Sequence, residues 1–145
     1  MNIRKIVAIV FMGIAIVLGV LYYLSIQVPE TFEGYFRREY YSQFGPLAIS
    51  IELLVAGYYV FNKHSKANFS LALFGFTAIL DPIFNLAGLF TSMVPIYAMV
   101  LFTVCALAAL WLAFTNTFDL GKITLLGAIW GFILGNAIEL FFNYL

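Results

Sequence analysis

The sequence predicts an all-α fold, a polytopic transmembrane bundle of five spanning helices. Three observations predict it. Of 145 residues, 64% are hydrophobic and only 10% are charged, against roughly 25% charged in a soluble domain. Mean hydropathy is +1.03. The apolar runs also have the length, about 20 residues, that crosses a hydrocarbon core. Five such helices consume about 100 residues, so 1–145 reads as one integral membrane domain whose main partner is the lipid bilayer.

The first span is read at about 6–26. Gly13 and Gly19 interrupt it, as membrane helices tolerate, and Arg4 and Lys5 precede it. Its apolar run exceeds the roughly 7–15 residues of a signal-peptide core, and no small-residue cleavage site follows. It is therefore read as a retained anchor. Segment 30–42 is the longest polar stretch. Glu30, Glu33, Arg37, Arg38 and Glu39 alternate there with Phe32, Tyr35, Phe36 and Tyr40. That pattern suits a short interfacial helix or a loop with aromatic anchors, lying on the outer surface.

The second span is read at about 44–62, with Pro46 in its first turn, where a missing N–H costs nothing. A polar turn over 63–68 leads to the third span, about 69–90, with Asn68 as its expected N-cap. The apolar run then continues to Phe114, too far for one crossing. Gly88, Thr91, Ser92 and Pro95 mark the hairpin inside it. The fourth span follows at about 95–115, and a polar break at 116–122 precedes the fifth, about 123–143.

With five crossings, alternate loops share a side. Arg4, Lys5, Lys63, Lys66 and Lys122 fall together, and Arg37 and Arg38 fall opposite. The positive-inside rule then predicts a cytoplasmic N-terminus and an outer C-terminus. Tyr22, Tyr23, Tyr40, Tyr41, Tyr97 and Tyr144 are placed for an outer aromatic belt, and Tyr58, Tyr59 and Trp111 for an inner one.

Three acids lie within spans: Glu52, Asp81 and Glu139. A charge at mid-bilayer costs at least about 2.5–3.5 kcal/mol, so such residues face the bundle interior and mark functional sites by default. At 1.5 Å per residue all three fall in the outer half. Thr77 and Asn85 share the face of Asp81, four residues to either side, and Asn136 lies one turn before Glu139. The expectation is an outward-facing polar pocket floored by Asp81, with Asn85, Glu52, Asn136 and Glu139 on its walls. No basic residue lies mid-span, and Arg37 or Arg38 is placed to reach Glu52 or Glu139 from above. The bland alternative is interhelical hydrogen-bonding, worth about 0.6 kcal/mol on average. Pro82 denies Ala78 its helical hydrogen bond beside Asp81, and broken helices in transporters use such freed carbonyls for ions.

Gly127, Gly131 and Gly135 form a small-residue stripe that Glu139 continues. Such a stripe admits close approach of another helix. The partner is expected in helix four, at Ala106, Ala108 and Ala109, or in a second subunit.

Other chemistries are excluded by composition. Zero net charge gives no electrostatic case for nucleic acid. Cys105 is the single cysteine and His64 the single histidine. Paired thiols, bis-histidine haem and histidine-rich metal sites are therefore unavailable. There is no mid-span lysine, phosphate loop or HExxH, so no cofactor or metal is expected. The leading functional reading is a small membrane protein binding a cation, a proton-coupled solute or a lipid-like molecule at the Asp81 pocket. The alternatives are an accessory subunit of a larger membrane complex, or a lipid-modifying enzyme with Asp81 and Glu52 as an acid/base pair.

Overall fold

The computed structural model describes residues 3–37, 40, 43–88, 94–116, 118 and 121–143. Its helices are α1 (Ile3–Ser25), α2 (Phe44–Phe61), α3 (Ala67–Leu86), α4 (Ile96–Phe114) and α5 (Leu125–Asn143). Each is long and apolar enough to cross a membrane. Between α1 and α2, the described part of segment 30–42 holds a 3₁₀ turn, Phe32–Phe36, and the helical residue Tyr40. Phe32 and Phe36 stack edge-on at 5.2 Å and both are well exposed. Arg38, Glu39, Tyr41, Thr91, Ser92 and Tyr144 lie outside the described residues.

The helix ends follow local chemistry. Gly88 adopts φ 82°, the left-handed conformation that closes a helix C-terminus at no Cβ cost. Its N–H donates to the Asn85 carbonyl at 3.3 Å. Lys66, not Asn68, stands at the N-cap of α3, and it gives no side-chain cap. Asn68 sits inside the first turn instead and donates to the Gly121 carbonyl at 3.4 Å, tying the α4–α5 connection to α3. Arg4 donates to the Val60 and Phe61 carbonyls at 2.7 and 2.6 Å. The Val60 carbonyl also accepts from the Lys63 N–H at 3.3 Å, and a cation at this helix end complements the helix dipole. Pro82 does not end α3, which continues to Leu86.

Helix α3 is the hub. It packs on α2, α4 and α5, while α1 packs on α2. Leu53, Leu71, Phe74 and Phe102 are fully buried at the centre, with Phe74 and Phe102 in edge contact at 6.3 Å. Large apolar side chains such as Val17, Ile51, Ile83, Val104 and Trp130 point outward from every helix. Apolar exposure on this scale suits lipid, since monomeric soluble proteins keep apolar patches to a few hundred Å².

Three glycines set the crossings. A Cβ on Gly57 would lie 3.1 Å from the Ala8 carbonyl of α1, and one on Gly75 would lie 3.2 Å from the Ala106 carbonyl and 2.5 Å from Leu110 Cγ of α4. A Cβ on Gly135 would lie 3.2 Å from the Thr77 nitrogen of α3. The small-residue stripe of α5 therefore packs against α3 of the same chain at Gly131 and Gly135, and not against α4. Gly127 meets only Ile123 and Thr124. Ala106 and Ala109 are buried, the former against Gly75, while Ala108 is exposed.

Filling a crossing should therefore destabilise the bundle. Gly75→Val is expected to cost about 1–3 kcal/mol, as overpacking does. Gly13→Ala, which meets open space, is expected to be neutral or to gain up to about 1 kcal/mol from helix propensity. Thermal unfolding of both variants in detergent micelles checks the ranking.

Candidate functional site: a buried carboxyl cluster under a cleft

The site lies in the half of the bundle nearer the 3₁₀ turn. Glu52 is about 12 Å in from the start of α2, Asp81 about 8 Å from the end of α3, and Glu139 about 6 Å from the end of α5, at 1.5 Å per residue. Asp81 and Glu139 are each only 2% exposed. They face one another across the α3–α5 seam, and Glu52 lies within electrostatic range of Glu139.

Helix register produces this pair. α3 and α5 run in the same direction, and Gly131 faces Leu73 while Gly135 faces Thr77. One turn further along both helices, the facing residues are Asp81 and Glu139. Positions four apart lie on one helix face, so the glycine contacts below dictate the acid contact above.

Thr77 is fully buried and links the pair to Glu52. Its hydroxyl donates to the Leu73 carbonyl at 2.8 Å and stands 3.5 Å from Glu52 Oε1. It has one proton, so the short bond takes it and the longer contact is weak. Glu52 Oε2 is buried with no hydrogen-bond partner, an uncommon condition, since most buried polar atoms are paired.

Above the acids opens a cleft of about 1130 Å³, lined by the end of α1, the loop carrying the 3₁₀ turn, and the starts of α2 and α4. Gln43 holds its wall together. The Gln43 side-chain carbonyl accepts from the Gln27 N–H at 2.7 Å, and its amide donates to the Gln27 carbonyl at 3.2 Å. Glu30 and Arg37 supply opposite charges to the lining, and Tyr22, Tyr97 and Pro46 line it too.

Tyr22 stands at the boundary between cleft and acids. It belongs to neither a lipid-facing nor a solvent-facing belt, being only 8% exposed. Its hydroxyl is buried without a hydrogen-bond partner. Tyr97 lies beside it, and Asp81 is within electrostatic range.

The sequence-predicted set thus divides. Asp81 and Glu139 come together, with Glu52 within electrostatic range of Glu139. Asn85 lies half-buried one turn beyond Asp81. Asn136 turns back on its own helix and donates to the Phe132 carbonyl at 2.8 Å. Arg37 lines the cleft, and Arg38 lies outside the described residues. Among the described residues, no three acid, histidine or cysteine side chains converge as a metal site requires. Sequence reasoning placed Tyr22 in the outer aromatic belt, whereas it is turned inward and buried. It also missed that the four-residue spacing of Leu73, Thr77 and Asp81 matches that of Gly131, Gly135 and Glu139, a signal legible in the chain. The chain matches no protein family, no curated protein and no solved structure.

Proposed function

We propose that this chain is an integral membrane protein that binds a solute in the cleft and couples its binding to a proton held between Asp81 and Glu139. The observation that carries the reading is a buried pair of facing carboxyl groups, Asp81 and Glu139, beneath a large cleft of mixed polarity. A proton is the cation that fits. The acids are closed off from the cleft, and no metal-like convergence occurs among the described residues. The cleft, with Glu30, Arg37 and three tyrosines in its lining, suits a small polar or lipid-like molecule carrying charge of either sign. Aromatic faces add attraction for a cationic group.

The acid/base enzyme reading receives less support, because Asp81 pairs with Glu139 and not with Glu52, and both paired carboxyls are enclosed. The positive-inside count favours a cleft facing the outer side, with the N-terminus cytoplasmic and the C-terminus outer.

Two measurements test this. In a Cys105→Ala background, Glu33→Cys is expected to react with an impermeant maleimide on intact cells, and His64→Cys only after permeabilisation. The reverse pattern overturns the orientation. In phosphatidylcholine proteoliposomes with an entrapped pH dye, a panel of primary amines, alkali cations, short-chain acids and lysolipids is expected to contain a member that moves protons. Asp81→Asn is expected to abolish that movement, with a loss on the order of 10²-fold or more, as for removal of a positioned proton-transfer group. Proton movement unchanged in Asp81→Asn overturns the coupling.

A further inference from the structure

We infer that Lys66 and Lys122, at the basic end of the bundle, hold the headgroup of an anionic phospholipid. This site is separate from the cleft at the other end and does not depend on what the cleft binds.

Charge is segregated between the two ends. Arg4, Lys5, Lys63, Lys66 and Lys122 gather at the end away from the cleft, and Asp119, outside the described residues, is the one acid in those segments. The cleft end sets Arg37 and Arg38 against Glu30, Glu33 and Glu39. The two α1 cations are engaged with α2, Arg4 through its carbonyls and Lys5 over the Phe61 ring. Lys63, Lys66 and Lys122 are exposed, and none makes an ion pair or side-chain hydrogen bond among the described residues.

The backbone fixes two of these lysines beside one another. The Lys66 N–H donates to His64 Nδ1 at 3.0 Å, and the Lys66 carbonyl accepts from the Ser70 N–H at 3.0 Å. His64 is itself stacked on Tyr59. Lys122 sits between two anchored neighbours. The Gly121 N–H donates to Asn116 Oδ1 at 2.9 Å, and the Ile123 N–H donates to the Ala113 carbonyl at 2.9 Å. Asn68 bridges the two segments through its bond to the Gly121 carbonyl. Lys66 therefore lies two residues from the bridge, and Lys122 next to it. Cations carried on ordered backbone lose less freedom on binding one anion than cations on mobile loops.

The surroundings fit a lipid. Tyr58 and Trp111, each 57% exposed, stand one turn before the ends of α2 and α4 and mark the interfacial belt. Both lysines lie just beyond that belt, at headgroup depth. Directly after Lys122, α5 begins with Leu125 and Leu126, exposed and apolar, a surface for an acyl chain. An anionic headgroup complements the lysines, as anionic leaflets attract juxtamembrane basic residues. Phosphatidylcholine brings a quaternary ammonium with its phosphate and so offers no net charge.

Quenching of tryptophan fluorescence by brominated lipids tests the site on the full chain. Trp130→Phe leaves Trp111 as the single reporter near this end. In phosphatidylcholine vesicles, brominated phosphatidylglycerol is expected to associate about 5–10-fold more strongly than brominated phosphatidylcholine. Lys66→Gln and Lys122→Gln are each expected to reduce that preference by about 2–5-fold, the scale of one exposed ion pair. Together they are expected to bring it to parity, and the single variants decide the matter if the double variant does not fold. Parity in the wild type, or a preference unaltered by the glutamine substitutions, overturns the site. So does displacement of the brominated lipid by millimolar inorganic phosphate at constant ionic strength, which assigns a soluble anion instead.

Discussion

The contact on which the rest of this molecule depends is the approach of α5 to α3 at Gly135. A Cβ there would lie 3.2 Å from the Thr77 nitrogen, so hydrogen on that Cα lets the two backbones approach closely. Once they meet there, parallel direction and a shared four-residue step bring Glu139 against Asp81. In lipid, helices gain little from hydrophobic association and pack through small residues and interhelical hydrogen bonds. Here the two devices occupy one interface. The glycines bring the helices together, and the carboxyl pair satisfies its polar groups at the top of the same seam.

That seam explains how acids persist where the chain carries no counter-charge. None of α2 to α5 contains a lysine, arginine or histidine, and the only basic residues of α1 are Arg4 and Lys5, at the far end. A desolvated carboxylate without a cation is costly. Burial of the two acids against each other means that sharing one proton would remove one of the two charges. The basic residues instead perform end chemistry. Arg4 donates to the last-turn carbonyls of α2, and Lys5 lies 5.5 Å from the Phe61 ring centroid.

The cleft has a separate origin. It exists because the α1–α2 connection is long and folded on itself. Gln43 pairs with the backbone of Gln27, and the 3₁₀ turn is capped by Thr31, whose hydroxyl accepts from the Gly34 N–H at 3.3 Å. The turn at the other end of α2 is short, with Lys63 at φ 53° and His64 stacked on Tyr59 at 4.2 Å. Polarity at one end of the bundle and apolar closure at the other give the molecule a direction that a symmetric bundle would lack.

The chain by itself determined the five helices, their limits to within a few residues, and the depth of the three acids. These follow from hydropathy and rise per residue, which are local properties. Thr77 and Asp81 on one face of α3 followed from helical periodicity in the same way. What only the tertiary structure decided was which faces meet. The glycine stripe of α5 announced a close neighbour but not its identity, because a smooth surface accepts any helix. Packing chose α3 over α4, and so paired Asp81 with Glu139 while leaving Asn136 bonded to its own helix. Tyr22 carried the signature of an interfacial tyrosine, and only the rotation of α1 against α2 turned it inward. Hydrophobic pattern fixes how far along a helix a residue lies. Its angle about the axis relative to a neighbour is set by contacts between residues distant in sequence.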